Sequence, residues 1–435
     1  MDCTHTFQTG ARTGIQRVVR HYADALLEIG PAAGVAIVPV RCANGQCIPL
    51  PVTAGRIDFP SSSSARETVR ESPDDVRLAR QRTWGHRLNR VLRSRRFEDW
   101  LEAGPNADGL MRRSVAASGA VRNPDALTLT SADILLSLDS SWVYDIRSVL
   151  DDAGRAGATR ISVLCDVLPL SHPQWFTEGT RRWFRGWLET ILPRLEGVVA
   201  ISETTCAELR RLAASGIIAV DALPSCTAVH LGAELASQGE GPIRAALQSA
   251  LAAGQPPAFL TVGTLEPRKN VDFALDLFDA LAARGLDFQW HIVGAPGWMA
   301  EHTAQRIRGH AFHGTRLHWW TDLTDDELTW CYRHATALVA VSKAEGFGLP
   351  LVEARLQNLP VFASDIPVFR EVVGSEARFL PLSDARLAAA ALEDFLEKWG
   401  PSPISPASGI ARSWSESAKE LLEVVKRIDR TRRQG

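Results

Sequence analysis

Strands and helices alternate along the second half of this 435-residue sequence, and no other feature limits its fold as strongly. The apolar run Ala258–Val262 ends at Gly263 and predicts a buried strand. Asn270 then precedes apolar residues at helical spacing, so we expect it to cap a helix. Strands that alternate with helices predict a parallel sheet covered on both faces. Ligands of such sheets bind beyond the carboxyl ends of the strands.

The other predicted elements of the second half continue this alternation. Strands are expected at Gln289–Val293, Leu317–Trp320, 337–341 and 361–363. Helices are expected at Glu301–Arg308, at Asp325–His334, from Pro350 onwards and at 384–399.

The first half shows the same alternation with one interruption. A short strand at the N-terminus is predicted to lead through Thr13 and Gly14 into a helix. Further strands are expected at 35–40, 134–138, 161–164 and 198–201, and helices at 181–192 and 203–213. Residues from about 50 to 130 do not fit the alternation and are predicted to form an insertion.

The length of the chain predicts two domains of roughly 200 residues each. Gly, Gln, Ala and Pro dominate 235–255, so we place an N-terminal domain at 1–240 and a second domain at 241–405. The amphipathic residues of 406–435 are expected to form a helix that packs back on the first domain. The expected fold class is α/β, with two doubly wound parallel sheets. Because the first predicted strand begins almost at Met1, the sequence leaves open that the chain is one module of a longer enzyme.

Composition favours a soluble globular protein. Apolar residues make up 45% of the sequence and charged residues 23%, and a formal net charge of −2 gives no attraction to nucleic acid. No apolar run approaches the ~18 residues of a membrane span, and the N-terminus lacks a signal-peptide pattern. The seven cysteines form no Cys-x-x-Cys pair, so we expect free thiols in a reducing cytoplasm.

The segment 77–96 contains eight arginines and no acidic residue. We favour a solvated insertion as its interpretation. The alternative is a basic amphipathic surface that contacts the anionic inner membrane peripherally, or that steers a lipid-diphosphate acceptor.

An acidic cluster in the second half is suited to bind hydroxyl groups. Glu345 follows a predicted strand, and Glu353 lies eight residues further on, in a helix that begins near Pro350. The loop between them consists of Gly346, Phe347, Gly348 and Leu349. Its glycines allow the backbone to approach a ligand closely, and its N–H groups favour an anion or a hydroxyl oxygen.

A basic cluster follows the strand Ala258–Val262. Gly263 and Thr264 lead to Arg268 and Lys269, just ahead of a predicted helix. Arginine forks onto two phosphate oxygens, and lysine supplies a compact charge, so the pair is suited to stabilise a leaving nucleoside diphosphate. Carboxylates for sugar hydroxyls beside cations for a diphosphate predict a glycosyltransferase that uses a nucleotide sugar.

Two other features of the sequence bear on the chemistry. Gly14 precedes a helix and offers a third, weaker anion site in the first domain. There is no Asp-x-Asp triplet in the sequence, so we expect no metal and no cofactor beyond the donor.

The two clusters resemble the motifs of the GT4 family of retaining glycosyltransferases, strongly over roughly 230–400 and less elsewhere. These motifs are Gly263-Thr264-x-Glu266-Pro267-Arg268-Lys269-Asn270 and Glu345-Gly-Phe-Gly-Leu-Pro-Leu-Val-Glu353. In the first half, Thr13-Gly14-Ile15 and Asp166-x-x-Pro169 resemble segments of bacterial surface-polysaccharide mannosyl- and rhamnosyltransferases. The resemblance implies the GT-B fold, in which two Rossmann-like domains face a cleft.

The resemblance also implies roles for individual residues. Arg268 and Lys269 match diphosphate ligands, Glu345 matches a contact to the donor sugar, and Glu353 matches a ribose ligand. The implied reaction transfers a sugar with retention, by a front-face route in which the departing phosphate takes the proton of the acceptor. Asp166 is the candidate in the first domain for orienting the donor or the acceptor. The alternative interpretation is that Asp166 has only a structural role in a turn.

At one position this sequence differs from many members of the family, which have a histidine where this sequence has Cys165. A thiol is a weak hydrogen-bond donor, which puts the role of that position in doubt.

The family analogy favours GDP-mannose as donor, before dTDP-rhamnose and UDP-sugars, and a saccharide or lipid-linked saccharide as acceptor in surface polysaccharide synthesis. Two other classes of function stay open. One is a nucleotide-sugar 2-epimerase of the same architecture, and the other is a catalytically silent scaffold that binds nucleotide sugars.

Overall fold

The structure is a computed structural model that describes residues 1–9, 14–43, 45–59, 123–234, 241–252, 254–398 and 412–434. Residues 60–122 of the predicted insertion, which include the segment 77–96, lie outside the described residues. The same holds for Thr13 and for residues 235–240 of the predicted junction at 235–255. The chain forms two compact units. The first comprises Met1–Ala200, Cys206–Ala228 and Ala418–Gly435, and the second Ile201–Thr205 and Val229–Ser417. The domain limits drawn from the sequence stay predictions.

The first half of the chain contributes eight described strands and six described helices. The strands are β1 (Val40–Ala43), β2 (Gln46–Pro49), β3 (Val52–Thr53), β4 (Arg56–Ile57), β5 (Ile134–Ser137), β6 (Thr159–Leu164), β7 (Gly197–Ala200) and β8 (Ser225–Ala228). The helices are α1 (Thr4–Thr9), α2 (Gly14–Ile29), α3 (Arg147–Arg155), α4 (Leu168–Ser171), α5 (Glu178–Ile191) and α6 (Glu203–Ala214).

The sheet of the first unit is parallel over the run β5-β6-β7-β8, as the sequence predicts. The helices α3 and α5 bury apolar residues such as Leu150 and Leu188 in one core with the strands. This core fixes the strand ends from which the loops of the unit emerge.

The start of the first unit differs from the prediction. Instead of a strand at the N-terminus, Asp2 alone forms bridges to Val40 and Ser137, and the helix α1 follows. The predicted strand at 35–40 is wrong, because pairing begins only at Val40, where β1 meets β2 in an antiparallel hairpin. The Val35 N–H instead bonds the Gly30 carbonyl in a turn.

The second half contributes six further strands and eight further helices in the described residues. The strands are β9 (Ala258–Val262), β10 (Gln289–Val293), β11 (Leu317–Trp320), β12 (Ala337–Ala340), β13 (Val361–Ser364) and β14 (Ala377–Leu380). The helices are α7 (Ala245–Ala250), α8 (Val271–Ala282), α9 (Glu301–Arg308), α10 (Asp325–His334), α11 (Leu349–Leu356), α12 (Pro367–Val373), α13 (Ala385–Lys398) and α14 (Trp414–Gln434).

The six strands form one parallel sheet in the order β11-β10-β9-β12-β13-β14. This is the order of a doubly wound dinucleotide-binding sheet, in which the direction of winding reverses between the two central strands. Here the reversal falls between β9 and β12. The loops that leave the carboxyl ends of these two strands therefore frame the expected ligand crevice.

The core of the second unit is built from the apolar face of α8 packed on the sheet. Phe278 is fully buried, and its ring lies 5.0 Å from that of Phe288 and 6.4 Å from that of Trp290. The spacing of the apolar residues therefore placed the helix correctly. Asn270 lies at the N-cap position of α8 as predicted, but it also ends a 3₁₀ turn in the left-handed region (φ 55°), and its side chain makes no capping hydrogen bond.

No helix in the described ranges is both long enough and apolar enough to span a bilayer.

Truncation of the central aromatic residue tests this core. Phe278→Ala is expected to lower the free energy of unfolding by about 3–5 kcal/mol, because it removes a buried ring and leaves a cavity. Leu387→Ala on α13, where the side chain is 58% exposed, is the matched control and should change the free energy by less than ~0.5 kcal/mol. Urea unfolding followed by circular dichroism measures both. Equal effects of the two substitutions would contradict the packing described.

Candidate active site

The site lies where the loops after β9 and β12 leave the sheet of the second unit. These strands are neighbours, with Leu260 opposite Leu338, so both loops start from the same edge. The loop after β9 contains the 3₁₀ turn Pro267–Lys269. The Lys343 N–H donates to the Arg268 carbonyl at 2.7 Å and ties the two loops together through their backbones.

Four charged side chains of these loops form one cluster, which we call the ion cluster: Glu266, Arg268, Lys269 and Glu345. Arg268 pairs with Glu266 at 2.6 Å and also with Glu345. Lys269 Nζ lies 2.5 Å from Glu345 Oε1. The side chain of Glu345 is only 8% exposed, and those of Arg268 and Lys269 are 17% and 13% exposed. The predicted basic and acidic residues therefore meet in one half-closed site.

The charge of Glu345 is fixed by its neighbours. Burial by itself raises the pKa of this carboxyl, but the charges of Arg268 and Lys269 and hydrogen bonds from Lys269 and Ser342 outweigh it and lower the pKa to about 2. The Ser342 hydroxyl contributes a bond of 2.8 Å. Glu345 is therefore ionised at neutral pH.

Two glycines give the site its shape. Gly263 has a φ of 148°, and a Cβ there would lie 2.9 Å from the Lys269 side chain, so the lysine packs against bare backbone. Gly348 has a φ of 101° and precedes α11, where a Cβ would meet the ring of Phe369 at 2.7 Å. Both glycines line one small pocket together with Lys269 and Glu345.

The other residues of the loop 346–349 contact neighbouring parts of the second unit. The Gly346 carbonyl accepts a hydrogen bond from the Ser202 hydroxyl at 2.8 Å. Phe347 is buried, and its ring meets that of His230 edge-on at 5.7 Å. Leu349 is the first residue of α11.

Thr264 and Glu353 take different positions. Thr264 follows Gly263 directly and lies beside Gly297, where a Cβ would be 2.8 Å from the threonine methyl. Glu353 is buried on α11 and accepts a hydrogen bond from the Tyr332 hydroxyl at 2.7 Å. It is not among the residues that line the pocket. The predicted contact of Glu353 with ribose stays a prediction.

Asp166 and Gly14 belong to the first unit. Asp166 accepts the Leu168 N–H at 3.0 Å at the start of α4, which is the turn role considered above. Burial and the nearby charges of Asp166 and Asp139 raise the pKa of Cys165 to about 12, so this thiol stays protonated. Gly14 opens α2, and nothing lies within 4 Å of the place where its Cβ would be. The roles predicted for Asp166 and Gly14 stay predictions.

Sequence reasoning missed two members of the site. Ser342 was not selected, although a serine three residues before Glu345 at a strand end is a usable signal. Glu266 was quoted in the motif but given no role, and its bond to Arg268 shows that it positions the guanidinium. In the described ranges no group of three or more His, Cys, Asp or Glu side chains is arranged to hold a metal ion.

The two units, each built on a parallel sheet, have the GT-B fold known from glycosyltransferases, and the ion cluster lies at the reversal of the second sheet. Residues 243–420, which carry the site, match the family model described as glycosyl transferases group 1. The sucrose-phosphate synthase of Thermosynechococcus elongatus superposes with a TM-score of 0.54 at 17% identity, covering 100% of this chain and 96% of that one. This likeness supports the fold.

The particular relatives of the chain are mannosyltransferases. It is 28% identical over 430 residues to the serotype-specific mannosyltransferase WbdA of Escherichia coli, which covers 97% of this chain and 44% of that protein. The O-antigen chain mannosyltransferase B of Escherichia coli is 29% identical over 175 residues, 38% of this chain and 45% of that protein. The chain thus spans less than half the length of WbdA. The resemblance to bacterial surface-polysaccharide transferases that the motifs predict is confirmed.

The lowered pKa of Glu345 has a consequence for stability. Glu345→Gln is expected to lower the free energy of unfolding at pH 7 by about 3–5 kcal/mol, because it leaves two buried cations without their shared partner. A carboxyl whose folded pKa is depressed contributes its stability above the unfolded pKa of ~4.3 and loses it as the pH falls towards about 2. The difference between wild type and variant should therefore shrink between pH 5 and pH 3.

Urea unfolding at several pH values measures this difference. Glu397→Gln, at an exposed position of α13, is the control and should show almost no difference at any pH. A difference for Glu345→Gln that is unchanged from pH 7 to pH 3 would show that the ion cluster is not formed as described.

Proposed function

We propose that this chain transfers mannose from GDP-mannose, with retention and without a metal ion, to a saccharide or lipid-linked saccharide during the synthesis of a bacterial surface polysaccharide. The observation that carries the proposal is the contact of Lys269 and Arg268 with Glu345 at the reversal point of the sheet. The choice of mannose is supported by the similarity to proteins that are mannosyltransferases.

The ion cluster supplies both groups that a nucleotide sugar needs. Arg268 and Lys269 bind the diphosphate and stabilise the negative charge that develops on it as it leaves. Glu345, which these cations hold in the free protein, then accepts hydrogen bonds from the hydroxyls of the sugar. Ser342 keeps the carboxylate in place while its cationic partners turn to the phosphate.

The reaction needs no protein nucleophile. The bond between the anomeric carbon and the diphosphate oxygen breaks, and a bond from the acceptor oxygen forms on the same face. The acceptor proton passes to the departing phosphate oxygen, so charge and atoms balance. The task of the site is positioning and electrostatic stabilisation.

The partners that follow are a nucleotide sugar and a saccharide acceptor. We infer a cytoplasmic enzyme, because its donor is a cytoplasmic metabolite class. The segment 77–96 remains a candidate for peripheral contact with anionic lipid, which sedimentation with anionic liposomes would test.

The identity of the base is tested by thermal shift with GDP, UDP, dTDP and their sugars. GDP and GDP-mannose are expected to raise the melting temperature most, because mannosyl donors carry guanine. A larger shift with dTDP-rhamnose or with a UDP-sugar would replace mannose in the proposal. Conversion of the sugar in the absence of any acceptor would indicate a 2-epimerase, and binding without turnover on any acceptor a silent scaffold.

The role of the cations is tested by substitution. Arg268→Ala and Lys269→Ala are each expected to slow turnover of GDP-mannose by about 10- to 100-fold, because each removes a charge-assisted bond of ~1.5–3 kcal/mol to the leaving group. Lys398→Ala, which removes an exposed lysine of α13, is the control and should leave turnover unchanged. Full activity of Lys269→Ala would refute the assigned role.

A further inference from the structure

We propose that the first unit contains a second anion site, formed by the arginines of α5, and that it binds the diphosphate group of a lipid-linked acceptor. The choice of ligand rests on the proposed function. The existence of the site does not, because it follows from the charges and contacts of α5 alone.

The site is a cavity of about 340 Å³ on the surface of the first unit. Its charged lining residues all belong to α5 and are Glu178, Arg181, Arg182 and Arg185. Its apolar lining residues are Pro169, Leu170, Pro173 and Ile217. A cavity of this size falls within the range that accommodates small ligands.

The positive charge of this cavity is not neutralised by its surroundings. Glu178 faces Arg182 at 3.5 Å, and both side chains are more than half exposed, so this pair contributes little. Arg181 and Arg185 have no ion-pair partner among the described residues. The Nε of Arg181 is buried without a hydrogen-bond partner in the same part of the chain. Three guanidinium groups and one carboxylate leave the cavity with two net positive charges.

The position of these arginines on the helix disfavours a purely structural role. α5 begins at Glu178, after the cap that Thr177 forms with the Thr180 N–H. Arg181 and Arg182 are the fourth and fifth residues of the helix, at the edge of the first turn over which the helix dipole disfavours cations. A bound anion would relieve this repulsion and would give the Nε of Arg181 its missing acceptor. Guanidinium forks match the oxygens of phosphate in pairs, which favours a phosphate or diphosphate as the anion.

The apolar residues of the lining bear on the source of that phosphate. Free phosphate is surrounded by water and gains nothing from contact with proline, leucine and isoleucine. A phosphate attached to an isoprenoid chain places methylene and methyl groups next to its charge, so it suits both the charged and the apolar residues of the lining. The structure therefore favours a lipid-carried diphosphate over inorganic phosphate or a sugar phosphate.

Calorimetric titration with inorganic pyrophosphate and with geranyl diphosphate tests this site. The ion cluster of the second unit also attracts diphosphate, so the titrations use Arg268→Ala/Lys269→Ala as the parent protein. Addition of Arg181→Ala and Arg185→Ala to this parent is expected to weaken both ligands at least about tenfold. Geranyl diphosphate is expected to bind the parent more tightly than pyrophosphate.

The control is Arg155→Ala in the same parent, because Arg155 is an exposed arginine of α3 that pairs with Asp152. It should leave both affinities unchanged, and the unfolding transition of each variant verifies that it is folded. Equal affinities with and without Arg181 and Arg185 would overturn the site. Pyrophosphate that binds as tightly as geranyl diphosphate would overturn the lipid-carried ligand.

These outcomes do not depend on turnover. A chain that transfers no mannose but loses diphosphate binding on substitution of α5 would remove the proposed function and keep the site. A chain that transfers mannose, and whose diphosphate binding is unchanged by substitution of α5, would remove the site and keep the proposed function.

Discussion

The contact on which the second unit depends is that of Glu345 with two cations, Arg268 and Lys269. A carboxylate buried to this extent is costly to ionise unless it is paired and hydrogen-bonded. Glu345 meets that requirement with an arginine, a lysine and the Ser342 hydroxyl. The loops after β9 and β12 are therefore held against each other by charge as well as by the backbone hydrogen bond from Lys343 to Arg268.

The sheet order explains why the cluster lies where it does. The direction of winding reverses between β9 and β12, so the helices that follow these two neighbouring strands lie on opposite faces of the sheet. The loops that lead to these helices therefore diverge, and a gap opens between them for side chains. Gly263 then leaves room for Lys269 to lie over the end of β9. A nucleotide sugar placed at this gap would meet the start of α11 and both cations together.

The sequence predicted those parts of the structure that follow from local patterns. The strands β9, β10 and β11 coincide with the predicted ranges, because each is an apolar run between polar turns. The meeting of Lys269 and Glu345 was predicted because both residues follow strands of one parallel sheet and both motifs resemble those of one family. The prediction of a strand at 35–40 was wrong because a strand needs a partner, and β2 pairs with the chain only from Val40 onwards.

The contacts that the sequence did not reveal join residues far apart in the chain. The Tyr332 hydroxyl on Glu353 spans 21 residues, and nothing in either local pattern indicates it. The left-handed conformation of Asn270 depends on the preceding 3₁₀ turn, which the helical spacing after it does not report. Such features depend on tertiary packing, which single-sequence patterns do not record.

The hydrogen bond from the Lys343 N–H to the Arg268 carbonyl has a mechanical consequence. It couples the backbone two residues before Glu345 to the backbone that carries the arginine, so a displacement of one loop is opposed by the other. Under the proposed function, an incoming diphosphate would therefore take the two cations from Glu345 mainly through rotation of their side chains. When the ligand leaves, the carboxylate would still be within reach of both cations, and the ion pairs would form again without a change of the main chain.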